Sequence, residues 1–379
     1  MLCIDAIVVG AGIWGCTVAR CLAEVGRRVL VLEKRAFVGG NARCEVDART
    51  GIEVHAYGSH IFHTHNRKVW DFVRRFTEFN GYQHKVLART RALPPCADER
   101  LRAKIESDGG RTYHLPVGLT LINKFFDVEL RPEEVDHFLT SERCQAIFDA
   151  FFRGYTSKQW GVSLDEIGSS VINRVPVRSN YDTNYFNDYW QGIPSDGYNK
   201  LFERLLAHPN IDIRCEAAFR ISGLDLLVNG ERLPEAPVYY SGPIDELFDY
   251  KFGPLPWRSL HFERETLPIV DYQGAAVVNY PDTDIPYTRI HEFKHYHPES
   301  FATMQTSGTV IMREYPRPWK IGEEPYYPIN NTESDALLAR YLREVRTRRH
   351  AFVVGGRLGG HRYCDMDQVM SEALEVSHV

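Results

Sequence analysis

Three groups of residues have the types and spacing to do chemistry. Gly10, Gly12 and Gly15 form a GxGxxG, and Glu33 follows 23 positions after Gly10. Glycines so spaced let a backbone turn approach a pyrophosphate, and a later carboxylate accepts hydrogen bonds from a ribose. The second group is rich in histidine: "HEFKH" at 291–295 has the letters of a zinc-binding HExxH, and "HIFHTH" brings His60, His63 and His65 together. The third, "FFRGYTSKQWG" at 151–161, crowds Phe151, Phe152, Tyr155 and Trp160 beside Arg153 and Lys158. Flat faces next to cations suit a planar, negatively charged ligand, and they equally suit a helix core.

The elements that must position these residues separate the groups. "AIVVGAGIWG" is an apolar strand running into the glycines, "CTVARCLAEVG" has helical spacing, and "RVLVLEK" is a second strand, so the first motif sits in a βαβ unit. That unit serves both NAD and FAD. The Gly39-Gly40 pair just beyond Glu33 offers a second close backbone approach and favours FAD, with Asn41 next to it. Near the other end, "AFVVGGRLGG" repeats strand, Gly355-Gly356 and Arg357, and "DMDQVMSEALEV" reads as a helix capped by Asp365 whose start, at Met366, could face the cofactor. The dinucleotide domain is then built from both ends of the chain. The zinc reading fails in context: "IPYTRIHEF" alternates like a strand, and Pro286 and Pro298 leave little room for a helix. "YGSHIFHT" reads as a turn and strand against the cofactor, so no metal is expected at either site.

A chain of 379 residues with 44% hydrophobic content is long enough for two or three domains. Its 45 basic and 50 acidic residues give a net charge of -5, which offers no general attraction to nucleic acid or an anionic membrane, so an anionic ligand must be held locally. Glycines break every apolar run short of a membrane span, and a soluble, cytoplasmic protein is expected. Eight scattered cysteines without a CxxC read as reduced core residues.

The strings "GGNA", "YGSHIFHT", "GYTSKQWG", "RVPVR", "GPIDELFDY", "IPYTRI", "EPYYPIN" and "GGRL", with "YCDM" after it, together resemble the bacterial UDP-galactopyranose mutases, from about residue 5 to about 375. The resemblance implies an α/β fold: an FAD-binding Rossmann-like domain, a small helical domain and a twisted antiparallel sheet. We expect the first from 1–78, 193–250 and 345–379, the second with its lid from 116–192, and the third from 79–115 and 251–344. It implies a flavin-dependent mutase acting through a covalent adduct between the sugar and N5 of reduced FAD, and it makes UDP-galactopyranose the default substrate. An external reductant and a homodimer are implied too. Phe151, Phe152 and Trp160 then belong to the base pocket, with Tyr155 and Thr156 near ribose and phosphates; Phe148 is equally open to a place in the helix core. Arg174 and Arg289 become the pair on the diphosphate, Arg174 on the lid. Tyr185, Asn279, Tyr326, Tyr327, Tyr363 and Asp365 surround the sugar and phosphates. His60 and His63 fall beside the flavin, and His63 joins the two arginines as a catalytic residue.

Some residues depart from the family pattern. Ala56 stands where a lysine is common, Ser59 adds a hydroxyl near the expected flavin, and "YDTNYF" brings Tyr181 and Thr183 toward the substrate side. The helical segment between "INKFF" and "FFRGYT" is also short. A GDP- or TDP-linked or deoxy sugar is therefore an alternative substrate. A flavin oxidoreductase and a non-catalytic nucleotide-sugar binder are the alternatives of another class.

Overall fold

"AIVV" and "VLVL" are apolar at every position, the pattern of strands covered on both faces. In the computed structural model, which describes residues 4–161, 177–298, 300 and 306–377, they form the centre of a five-stranded parallel sheet. Its order is 352–354, 238–240, 6–9, 29–32, 211–214, so segments far apart in the chain meet side by side. The helix Ile13–Glu24 lies on this sheet and packs against the helices Met366–Val376 and Tyr198–Leu206. Trp14, Val18 and Ala19 on the first helix and Met370 and Ala373 on the C-terminal one are fully or almost fully buried.

A seven-stranded sheet makes the second layer, in the order 327–328, 257–267, 309–318, 289–292, 277–279, 86–90, 111–115. Its pairs are antiparallel with one exception: Val277–Asn279 runs parallel to the strand Val86–Thr90, so the sheet is mixed rather than purely antiparallel. The long ribbon of Trp257–Leu267 and Thr309–Pro318 sets Phe262 opposite Glu314, and Arg289 also lies opposite Glu314 across the next pair. The segment expected to be sheet up to 115 also contains a helix, Glu99–Ser107, started by Asp98, whose carboxylate accepts the Leu101 N–H at 2.7 Å.

The helical part is small: Leu119–Phe126, Val135–Phe138, Ser141–Phe148 and Gly154–Trp160. Between the last two, Asp149–Arg153 forms a π turn. The extra residue in that turn shifts the phase of the side chains around the helix axis, so Phe151 faces the Tyr113 and Phe125 rings of the core while Phe152 stacks beside Phe148. Lys158 is turned to backbone carbonyls. Its ammonium donates to the carbonyls of Tyr280, Asp282, Ile285 and Tyr287 at 2.5–3.0 Å, tying the helix to a loop of the sheet. Arg153 sits at the surface against Asp149. Gly154 allows this contact, since a Cβ there would lie 2.2 Å from the Pro281 carbonyl oxygen.

The cysteines depart from the expected pattern. Cys16, Cys21, Cys44 and Cys364 are buried, but Cys96, Cys144 and Cys215 are exposed, and these seven, the cysteines among the described residues, are free thiols. No helix among the described residues is long and apolar enough to cross a membrane.

Candidate active site

The glycine turn opens at the carboxyl ends of the parallel strands, where a groove of about 410 Å³ is lined by Gly10, Gly12, Glu33, Gly40, Asn41 and His60 on one side and by Gly356, Arg357 and Met366 on the other. Gly12 and Gly40 touch backbone to backbone, and a Cβ on Gly40 would stand 3.1 Å from the Gly12 Cα. Gly15 does not line the groove. It sits one turn into the helix, where a Cβ would fall 1.9 Å from the Gly10 carbonyl oxygen, so its contribution is close packing of helix on strand. Glu33 is buried, and its carboxylate holds the turn by accepting the Ala11 N–H at 2.7 Å and the Arg35 N–H at 2.9 Å. Arg35 reaches Asn41 at 2.8 Å and Glu324 at 2.6 Å, while its Nη1 is buried without a hydrogen-bond partner. A glycine cradle, an acidic end and a buried guanidinium N–H suit a dinucleotide with its diphosphate. The Gly356 N–H, by contrast, is taken by the Glu372 carboxylate at 3.0 Å.

Asn41, His60, Arg357 and Met366 also line a second cavity of about 300 Å³, so the two cavities adjoin across these residues. The π turn and the helix after it supply one wall, with Phe151 and Phe152 from the turn and Tyr155, Thr156 and Trp160 from the helix, and Phe148 completes it. The mixed sheet supplies Asn279 and Arg289; Tyr326, Tyr327, Tyr363 and Asp365 close a third side, and Tyr185 and His63 a fourth. Phe151 is buried among the core rings and also lines this cavity, while Phe148, open to either place, is half-buried at its edge. The cavity therefore gathers the described residues expected around the base, sugar and phosphates, with Tyr181 and Thr183 outside it. Arg174 lies outside the described residues.

Charge in this cavity is held by pairing. Arg289 donates to Glu314 at 3.1 Å, and Glu314, only 2% exposed, also accepts from Thr288. Burial works against both charges, but each holds the other ionised: Glu314 keeps Arg289 protonated, and Arg289 with His291 keeps the Glu314 carboxyl below its ordinary range. The Asn279 Oδ1 is buried in the cavity without a hydrogen-bond partner, an acceptor waiting for a donor. His63 donates through Nδ1 to Asp188 at 2.7 Å and stacks on Phe186 with ring centres 3.6 Å apart. Burial is the main cause that lowers His60 to about 4 and His84 to about 3, so both rings are neutral near pH 7.

Tyr181 and Thr183 are not at the substrate side: neither lines the cavity, and Tyr181 is 57% exposed and donates to the Leu130 carbonyl. The histidine motifs also come apart. "HEFKH" ends a strand and enters a 3-10 turn, with His291 turned to Glu314 and His295 grouped with Glu292 and Asp271. Cys44, Glu53 and His55 form a second group with metal-ligating side chains in reach of one another. Glu314, His291 and His84 are the residues missed from the sequence. Glu314 carries a signal, as an acid at an inward position of a strand whose neighbours Val310 and Met312 are buried.

Residues 150–363 match the family described as UDP-galactopyranose mutase, and residues 8–76 match that of the NAD(P)-binding Rossmann-like domain. The chain is 36% identical to the dTDP-fucopyranose mutase of Escherichia coli, over 98% of this chain and 97% of that one. It is 37% identical to a probable UDP-galactopyranose mutase of Klebsiella pneumoniae, covering 98% and 94% of the two chains. With the UDP-galactopyranose mutase of Mycoplasma pneumoniae the identity is 33%, over 98% and 94%. A solved structure of reduced UDP-galactopyranose mutase superposes with a TM-score of 0.71 at 17% identity, over 99% of this chain and 95% of that one, which shows the same fold.

Proposed function

The chain belongs to the UDP-galactopyranose mutase family of isomerases, and from that premise we propose that it interconverts the pyranose and furanose forms of a nucleotide-linked hexose, with UDP-galactopyranose as first substrate. The observation that carries the reading is the adjacency of the two cavities: a dinucleotide groove shares a wall with a chamber that has an aromatic side, a half-buried arginine and an unpartnered amide oxygen.

Gly10, Gly12, Glu33 and Gly40 would hold FAD in the groove, where its reduced form would supply a nucleophile for the anomeric carbon. The protein's residues do the rest. Phe152, Trp160 and Tyr155 hold base and ribose on the helix wall. Arg289 keeps the departing diphosphate within reach, with Arg174 assigned to the same task from the sequence. Tyr326, Tyr327 and Tyr363 line the remaining sides and limit water around the reacting sugar. Asn279 Oδ1 accepts from a sugar hydroxyl. An external reductant for the flavin and a homodimeric assembly are part of the proposal.

A second substrate reading, a dTDP-linked 6-deoxyhexose, is favoured by the E. coli relative, whose identity equals that of the UDP-galactopyranose relatives within a few percent. The experiment is incubation of dithionite-reduced, FAD-loaded protein with UDP-galactose, dTDP-fucose and GDP-hexoses, followed by chromatography of pyranose and furanose forms. Isomerisation of UDP-galactose supports the first reading and of dTDP-fucose alone the second. Flavin-loaded, reduced protein that isomerises none refutes both.

A further inference from the structure

Ser59, in the turn after "HAYG", lines the cavity, while His291 and Glu314 reach it from two neighbouring strands of the mixed sheet. Ser59 Oγ is 2.5 Å from His291 Nδ1, and His291 Nε2 is 3.2 Å from Glu314 Oε2. Tyr296 OH donates to the same Ser59 oxygen. His291 is 0% and Glu314 2% exposed, and the cavity is lined by Ser59 and Glu314 while His291 stands behind them.

The hydrogen bonds fix the protons. A carboxylate only accepts, so His291 must donate from Nε2. In the neutral ring Nδ1 is then an acceptor, and the Ser59 O–H must donate to it. With Tyr296 donating in turn, Ser59 Oγ has one lone pair left, on a group that faces the cavity. The order is hydroxyl, imidazole, carboxylate, the arrangement that lets a hydroxyl give up its proton. Burial lowers His291 while Glu314 pushes the other way and Arg289 adds to the lowering, so the ring is neutral near pH 7 and free to accept.

The proposed ring contraction has a proton to move. The 4-hydroxyl loses one as it bonds to C1, and the former ring oxygen gains one as it leaves C1. We propose that Ser59, backed by His291 and Glu314, is the hydroxyl that carries this proton; the proposal rests on the mutase reading. The sugar O–H breaks as its proton passes to Ser59 Oγ, and the Ser59 O–H breaks as its own proton passes to His291 Nδ1. The imidazolium stands against the Glu314 carboxylate. The reverse shift delivers a proton to the former ring oxygen as its bond to C1 breaks, the deprotonated 4-oxygen then closes on C1, and no net proton is taken up. Ser59 touches the reacting sugar; His291 and Glu314 are positioning residues that act through it.

His291 is faced by Ser59, Glu314 and Phe293, with Arg289, His55, His60 and His84 within its field and Tyr296 joined to it through Ser59. The test uses FAD-loaded wild type, Ser59→Ala, Ser59→Thr and His291→Gln, each checked for folding by thermal midpoint. Three readouts are made: kcat against pH on the substrate that wild type isomerises, the Kd of that nucleotide sugar, and nitrogen-15 NMR of the His291 ring. We expect Ser59→Ala to lower kcat at least about hundredfold, the range for one acid–base group, with Kd within threefold. Ser59→Thr should keep kcat within tenfold. Wild-type kcat should fall on the acid side as His291 becomes protonated, and His291→Gln should lose that limb. NMR should show the Nε2–H tautomer, with an Nδ1 signal that moves in Ser59→Ala. A Ser59→Ala kcat within threefold of wild type, or the Nδ1–H tautomer, overturns the relay. Wild-type protein that isomerises no nucleotide sugar overturns the mutase reading and the proton-carrying task with it, while the ring spectrum alone still decides whether the hydrogen-bond chain is as described.

Discussion

Replacing Lys158 by Met keeps the aliphatic stem and removes the ammonium that satisfies the carbonyls of Tyr280, Asp282, Ile285 and Tyr287. An ammonium has three N–H groups, so three full bonds are at stake. At about 1.5 kcal/mol each, the low end for a charged donor because Lys158 is only partly buried, they total about 4–5 kcal/mol, and relief of ammonium desolvation leaves about 3 kcal/mol. We expect urea unfolding of Lys158→Met to show a loss of that size with FAD still bound. The dinucleotide groove is built from other elements, but the helix bearing Tyr155, Thr156 and Trp160 depends on this tie. Affinity for UDP or dTDP, whichever wild type binds, should therefore fall about tenfold. A variant with the wild-type urea midpoint would refute the claim that Lys158 is a structural tie. A stable variant that had lost all nucleotide binding would mean that the ammonium meets the ligand instead.

His84 has its ordinary value of 6.5 lowered to about 3, by burial first and then by Arg289, so its contribution to stability is full above pH 6.5 and is lost as pH falls toward 3. By pH 4 that loss is about 3 kcal/mol relative to neutral pH, and His84→Gln should show a correspondingly flatter stability profile in urea titrations between pH 7 and 4. Arg289→Ala leaves the Glu314 carboxylate buried and unpaired at a cost of about 3–5 kcal/mol; adding Glu314→Gln should restore most of the thermal midpoint but none of the isomerase turnover. Gly154→Ala places a methyl 2.2 Å from the Pro281 carbonyl oxygen. Overpacking should outweigh the better helix propensity and cost about 1–2 kcal/mol, read as a lower midpoint with weaker nucleotide binding.

The glycine turn and Glu33 were legible because their geometry is local: one strand, one turn and one helix fix where each residue points. Arg289 and the tyrosines were legible through motifs that carry their own context. The chain of Ser59, His291 and Glu314 was not, because it depends on strand register across the sheet and on a turn from a distant segment. In the sequence His291 looked like part of an HExxH; alternation placed it on a strand but left its partner unnamed. Lys158 was misleading for a related reason. Beside four aromatic residues it resembles a cation for an anionic ligand, and only the fold of the 280–287 loop turns four carbonyls toward it. Tyr181 shows that proximity to "YF" in sequence does not survive a turn, since its ring lies against the Leu130 carbonyl instead. The exposed Cys96, Cys144 and Cys215 had no sequence signal to separate them from buried ones.

The central strand Ala6–Val9 pairs with Val238–Tyr240, which pairs in turn with Phe352–Val354, and the first helix is covered by Met366–Val376. During synthesis the glycine turn thus precedes Gly356, Arg357 and Met366 by more than 300 residues, and the groove it opens is incomplete until those residues have emerged. Until then the apolar face of the first helix lacks the part of its cover that Met366–Val376 supplies. Such long-range closure slows folding and leaves hydrophobic surface open to chaperones and to neighbouring nascent chains. A cofactor in this groove therefore waits for the segment around residues 356–366, and its arrival is a sign that synthesis has passed that point.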